Sequence, residues 1–168
     1  RYLKDKEVPK SAGNDHPTSI PTGVFKTADG HVNIAVAGQA IYERFCDAIN
    51  APELKNHPDF ATGALRSQNR KAMNTAIDAI TCQKPSAFWI DHLNTAGCPC
   101  GPIYSMDQMF EDAQVKHVEM AVPVSHPRMG SFQIVNQAIK MSRTPSKIRS
   151  ATPEQGEHTD AILTELGY

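Results

Sequence analysis

Two short runs that alternate apolar and polar residues lie near the start of the chain. Val24-Phe25-Lys26-Thr27 and His31-Val32-Asn33-Ile34-Ala35-Val36 flank Ala28-Asp29-Gly30. Period-two runs on either side of an Asp-Gly turn are the pattern of a β-hairpin. The period then lengthens. Ile41, Phe45, Ala48 and Ile49 recur on one face of a helix from about Gln39 to Asn50, which Pro52 closes. After a loop through His57-Pro58, residues 66 to 81 place Ala72, Met73, Ala76, Ile77 and Ile80 on one face of a second helix. Residues 83 to 96 do the same with Phe88, Trp89 and Leu93, and Gly97 stops the third.

Beyond that point the apolar pattern thins. Gly97-Cys98-Pro99-Cys100-Gly101-Pro102 is too rich in Gly and Pro for regular structure, and a short helix is expected around Met106 to Phe110. Met120 to Ser125 and Phe132 to Ile139 read as strands joined by His126-Pro127-Arg128-Met129-Gly130. A basic, Pro-containing stretch from Lys140 to Pro153 leads to a terminal amphipathic helix with Ile162, Leu163 and Leu166 turned inward. Residues 1 to 21, with Pro9, Gly13, Pro17 and Pro21, have no sustained periodicity and read as an irregular, mostly extended arm. The expected fold class is therefore α+β: a small mixed domain of β-hairpins and three or four packed helices over residues 22–123. It is flanked by extended linkers at 1–21 and 124–168. A connector carrying one lone helix has too little apolar surface to fold by itself and should dock on something else.

Composition narrows the function classes. Of 168 residues, 40% are apolar and 21% charged, ordinary values for a folded chain. The 17 basic and 18 acidic residues leave a net charge of -1, so bulk electrostatics favours neither nucleic acid nor an anionic membrane. No apolar run approaches the roughly 20 residues that span a bilayer, and the start lacks the apolar stretch of a signal peptide. Cys46, Cys82, Cys98 and Cys100 are read as reduced thiols of a cytoplasmic protein.

Candidate chemistry is sparse. Cys98 and Cys100, with His92 and His117 nearby in sequence, can be drawn as a zinc site. One residue between the cysteines is too few for the usual tetrahedral spacing, however, and a rigid Cys-Pro-Cys turn explains them. No nucleophile sits in a strand-turn-helix elbow, and no phosphate- or dinucleotide-cradling glycine motif is present. Lys140, Arg143, Lys147 and Arg149 form a basic run that either holds a phosphate or is simply a solvated charge run. Gly156-Glu157-His158-Thr159-Asp160 suits the start of a helix, with His158 the one member that capping does not require. The chain carries no complete catalytic set and reads as the carboxy-terminal portion of a larger cytosolic enzyme.

Five segments, in this order and spacing, resemble the class III CoA-transferases, the CaiB/BaiF family that also includes acyl-CoA racemases. They are His16-Pro17 with Pro21-Thr22-Gly23-Val24-Phe25-Lys26-Thr27-Ala28-Asp29-Gly30, Gly97-Cys98-Pro99-Cys100-Gly101-Pro102, Val124-Ser125-His126-Pro127, Ser142-Arg143-Thr144-Pro145, and Gly156-Glu157-His158-Thr159-Asp160.

The resemblance implies an outgoing linker at 1–21, the family's small domain at 22–123, and at 124–168 a return linker with a helix that docks on a missing nucleotide-binding-like domain. It also implies an interlocked homodimer. The implied activity is transfer of CoA between carboxylic acids. An aspartate attacks the acyl-CoA to give a mixed anhydride, an aspartyl-CoA thioester follows, and an acceptor acid takes the CoA. The racemases instead use a His and Asp pair to exchange an α-proton, and a non-catalytic binding module is a further alternative. In either enzyme the catalytic residues lie upstream of Arg1, so none is assigned here and the chain alone should be inactive. Coenzyme A enters as substrate, no cofactor is covalently bound, and the implied partners are an acyl-CoA and a carboxylic acid acceptor. In some members a glycine-rich loop of the outgoing linker closes over the intermediate. The matching stretch, Ala12-Gly13-Asn14-Asp15-His16, has one glycine. By the same correspondence the substrate-facing candidates are Gly38 and Gln39 in the turn after the second strand, followed by Asn14 and His16; an ordinary loop role is open to each.

Overall fold

The computed structural model describes residues 2–8 and 11–168. It comprises two compact units, Arg1–Ile103 and Tyr104–Tyr168. The first opens with a single helical turn, α1 (Tyr2–Asp5), where extended chain was expected. The alternating runs then pair as antiparallel strands β1 (Thr22–Lys26) and β2 (His31–Ala35), with Phe25 opposite Val32 and Lys26 opposite His31. The alternation does the work that its period implies: Val32 and Ile34 are buried while His31, Asn33 and Ala35 face solvent.

Helix α2 (Gln39–Ala48) follows, burying Tyr42, Phe45 and Cys46. It ends with Asn50 at φ 53°. The N–H of Asn50 reaches the Asp47 carbonyl and that of Ala51 the Cys46 carbonyl, a Schellman closure in which Asn tolerates the left-handed position. Pro52 does not merely stop this helix. It is the first residue of the short helix α3 (Pro52–Lys55), where its missing N–H costs nothing. Pro58 opens a single 3-10 turn (Pro58–Phe60) in the same way.

The second expected helix is two. Helix α4 (Gly63–Gln68) begins at Thr62, whose hydroxyl accepts from the Leu65 N–H, and Asn69 separates it from α5 (Arg70–Thr81). The Asn69 side chain donates to the Leu65 and Asp59 carbonyls, competing with the helical ladder at the break. Met73 and Ile77 are buried, with Ala76 and Ile80 packed against the core; Ala72 is exposed. In α6 (Ser86–Thr95), Trp89 and Leu93 point inward and Phe88 is 41% exposed. Gly97 at φ 73° closes α6 as a second Schellman motif, with Cys98 N–H on the Leu93 carbonyl. The Cys-Pro-Cys turn then feeds a third strand, β3 (Cys100–Pro102), which adds to the open side of β2 with Cys100 opposite Ile34. Regular pairing there was not expected from a Gly- and Pro-rich segment. A backbone bond from Ala35 to the Pro99 carbonyl helps to hold it.

The second unit contains α7 (Met106–Glu111), α8 (Ala113–His117), the hairpin β4 (Ala121–His126) and β5 (Gly130–Val135), and α9 (Thr159–Glu165). The hairpin is present with a tighter turn than expected, since His126 pairs with Gly130, and with a different far end. Asn136 turns back to Met120 and Glu119 through its backbone and side-chain N–H groups, so β5 stops at Val135 instead of Ile139. Ile162 and Leu163 of α9, and Leu166 just after it, are 52%, 43% and 68% exposed, as expected of a docking helix without the surface it would cover. Among the described residues no helix is long and apolar enough to cross a membrane.

Candidate functional site

The start of β1 is where the candidate residues gather. On its outer side the arm forms an isolated bridge from Asp15 to Gly23, and the His16 N–H donates to the Thr22 carbonyl at 2.9 Å. The approach is close enough that a Cβ on Gly23 would meet the Asn14 carbonyl at 2.9 Å, so this position of the Pro-Thr-Gly motif accepts no side chain without a shift. On the inner side the Thr22 hydroxyl donates to the Val36 carbonyl at 3.0 Å and accepts from the Val36 N–H at 2.9 Å. That clamp positions Ala37-Gly38-Gln39. Gly38, at φ 85°, is the N-cap of α2 and Gln39 its first residue. Asn14 and His16 therefore flank the beginning of β1 from one side, Gly38 and Gln39 from the other, and all four are exposed.

His16 has a local job. Its Nδ1 accepts the backbone N–H of Thr18 at 3.3 Å and of Ser19 at 2.9 Å. His57 does the same for Asp59, and His126 for Arg128 and Met129. All three histidines precede a proline, and in each the imidazole caps the turn that the proline begins. Asn14 contributes its backbone carbonyl to the approach at Gly23.

Beneath Gln39 lies a group that sequence reasoning passed over. Arg66 is 3% exposed. Its Nε donates to the Ile20 carbonyl at 3.1 Å, and its Nη1 to the Phe60 carbonyl and to Gln39 Oε1, both at 2.9 Å. Its guanidinium carbon Cζ lies over the Tyr42 ring, 4.2 Å from the centroid, a cation–π contact that favours Arg over Lys in a buried place. The Tyr42 hydroxyl donates to the Leu54 carbonyl at 2.6 Å. One side chain thus ties the end of the arm, the start of α2 and the 3-10 turn together. Burial lowers the Arg66 pKa from its ordinary value and raises that of Tyr42, while the Cys46 thiol is pushed up to about 11 by burial. Gln39 Nε2 donates onward to Glu43 Oε1 at 2.9 Å.

The arm is also held by α5. Arg70 donates to the His16 carbonyl at 2.7 Å and sits 3.8 Å from the Asp15 carboxylate, and Asn74 donates to Asp15 at 3.2 Å. In sequence Arg66, Arg70 and Asn74 are polar positions of a helix at four-residue spacing. Nothing in that spacing says that all three reach back to the arm, to the Ile20 and His16 carbonyls and the Asp15 carboxylate.

The Cys-Pro-Cys turn shows no activated thiol. Burial raises the pKa of Cys98 and brings that of Cys100 to about 11. At neutral pH these remain thiols, which are poor nucleophiles. Among the described residues no three His, Cys, Asp or Glu side chains converge as a metal group.

This α+β arrangement is shared with a CaiB/BaiF family protein from Brucella suis. The two are 28% identical with a TM-score of 0.79, over 98% of this chain and 42% of that one. The chain belongs to CoA-transferase family III, whose family model matches residues 1–159. It is 30% identical over 165 residues to the succinyl-CoA:glutarate CoA-transferase of Mus musculus, covering 98% of this chain and 38% of that protein. It is 36% identical over 167 residues to the formyl-CoA:oxalate CoA-transferase of Rhodopseudomonas palustris strain BisB18, covering 96% of this chain and 39% of that protein. The chain thus spans about two fifths of the length of the relatives it matches.

Proposed function

We propose that this chain is the carboxy-terminal part of an acyl-CoA transferase, and that it forms one wall of the cleft in which CoA passes from one carboxylic acid to another. The observation that carries this reading is the family match over nearly the whole chain, together with relatives named for CoA transfer of which the chain covers 38% and 39%. The covalent steps belong to an aspartate outside these residues: its carboxylate displaces CoA from the acyl-CoA to give a mixed anhydride, and CoA attacks the aspartyl carbonyl, which releases the first acid and leaves an aspartyl thioester. The acceptor carboxylate displaces CoA to form a second anhydride, and CoA attacks its acyl carbonyl, which frees the new acyl-CoA and the aspartate. The part played here is to orient and enclose. Gly38 and Gln39 present polar groups toward the acyl end, and the arm through Asn14 and His16 borders the cleft. Residues 22–123 act as the small domain, between an outgoing linker and a return segment whose helix docks on the remainder of the protein. The working form is a homodimer.

The test uses the full polypeptide and the isolated chain side by side. Incubation with succinyl-CoA and either glutarate or oxalate should give CoA exchange by the full polypeptide and none by the chain alone. Intact-mass analysis during turnover should show a CoA adduct that maps outside residues 1–168. Activity in the isolated chain, or an adduct on one of its own residues, would sink the proposal.

A further inference from the structure

A glutamine that takes part in a site is useful only if its two ends are distinguished, because the amide offers a donor on one side and an acceptor on the other. Left free, the group turns over and averages the two. Gln39 is not left free. Its Oε1 accepts from the Arg66 guanidinium at 2.9 Å, and its Nε2 donates to the Glu43 carboxylate at 2.9 Å. A cation grips the oxygen end and an anion the nitrogen end. Turning the amide over would set N–H groups against the guanidinium and a carbonyl against the carboxylate, two repulsions in place of two charge-assisted bonds.

The cation is itself fixed. Arg66 is 3% exposed, is held by the Ile20 and Phe60 carbonyls, and lies over the Tyr42 ring. The Ile20 and Phe60 carbonyls and the Gln39 amide oxygen that it bonds are all neutral, and the carboxylate whose charge acts on it is that of Glu43, reached through the Gln39 amide. A buried guanidinium whose balancing carboxylate sits one amide away is an unusual expenditure for mere packing.

We propose that Arg66 is a positioning residue for Gln39: with Glu43 it locks the Gln39 amide in one orientation, so that the second N–H of Nε2 is offered as a fixed donor to an acyl or carboxylate oxygen. The ligand named here rests on the transferase reading above; the locking does not. Arg66 also bonds the Ile20 carbonyl where the arm enters β1, so the donor and the arm are held by the same side chain.

Two experiments test this. In the isolated chain, NMR should show one well-dispersed, slowly exchanging pair of side-chain amide protons for Gln39. Their dispersion and protection should be lost in Glu43→Gln, a partly exposed position whose substitution spares the fold, and in Arg66→Lys. In the full polypeptide, Gln39→Glu keeps an acceptor for Arg66 but removes the donor. The new carboxylate also faces Glu43, so the unfolding midpoint should drop somewhat, while kcat/KM for CoA transfer, read at a temperature where the fold is intact, should fall by about ten-fold or more. Glu43→Gln should give a smaller loss of the same kind. A Gln39 amide that is averaged in the unsubstituted chain overturns the proposal whatever the enzyme does. Wild-type kinetics in Gln39→Glu overturns it as well, because the amide would then serve only as a partner for Arg66. A locked amide in a polypeptide that transfers no CoA supports the positioning and overturns the transferase reading instead.

Discussion

The two units differ most in what they bury. In the first, sheet and helices share one core: Phe25, Val32 and Ile34 from the strands meet Tyr42, Phe45, Met73, Ile77, Trp89 and Leu93 from the helices. In the second, the one buried residue is a histidine, His126, 5% exposed at the end of a hairpin strand. Its apolar side chains, among them Met106, Val135, Ile139, Ile162 and Leu166, stand at 64% to 69% exposure or, for Ile162, 52%. The first unit can offset its conformational entropy from its own burial, at roughly 1.5–3 kcal/mol per large side chain. The second has secondary structure without a core. Its local order comes from caps and turns: the Asp112 carboxylate receives the Gln114 and Val115 N–H groups, and Asn136 closes the hairpin. Apolar side chains left exposed in such number mark a surface meant to be covered.

The contrast can be broken most decisively by hydrogen exchange. Amides of β2, α2 and α5 should exchange at least about a thousand-fold more slowly than those of β5 and α9, since core elements open only with global unfolding. Comparable protection in α9 and α2 of a monomeric chain would erase the distinction. Next in size, Phe45→Ala should cost about 3–5 kcal/mol in urea unfolding, whereas Ile162→Ala should change stability by less than about 0.5 kcal/mol. The single tryptophan, Trp89 in α6, reports on the first unit directly by fluorescence.

A third expectation concerns acid. The Asp29 carboxylate in the hairpin turn accepts the Ser86 N–H at 2.7 Å and the Ser86 hydroxyl at 2.8 Å, capping α6 from across the fold. Those bonds, with a further one from Thr27, hold its pKa below the ordinary value. A lowered folded pKa contributes stability that is complete above about pH 4, near the unfolded value, and is lost as pH falls through the folded one. The Tm difference between the native chain and Asp29→Asn should therefore shrink as pH drops below about 4. A constant difference down to pH 2 would argue against the capping role. The smallest effect falls in the second unit. Glu119 stands at φ 53° in the position after α8 where glycine is usual, so Glu119→Gly should slow exchange in α8 slightly, by the equivalent of at most about 1 kcal/mol.

What the sequence made legible follows the same division. The hairpin around Asp29-Gly30 and the buried faces of α2, α5 and α6 were readable because periodic burial leaves a periodic trace. The short α3 and the 3-10 turn were not, since one turn of helix begun by a proline has no period to detect. The terminal helix showed an apolar stripe in α9, but a stripe does not say what covers it, and in the structure it faces solvent. The candidate site was read only through resemblance. Arg66, which organises it, looked like any polar residue at a helix start, because two of its partners are backbone carbonyls that carry no residue signature and the third, Gln39, lies 27 residues away. The histidine turns were in plain view: His-Pro occurs at 16, 57 and 126, and each ring nitrogen takes up the N–H groups that follow.

The contact between the arm and Gly23 also bears on what else can pair with the sheet. In the three-stranded sheet β1 is an edge, and an unpaired edge invites the strand of another molecule. The bridge from Asp15 and the bond from His16 occupy the first positions of that edge, and Asp78 takes the Lys26 N–H at the other end. Seen this way, the arm is a guard rail: it lets a short, apolar hairpin sit at the rim of a domain without becoming a template for aggregation.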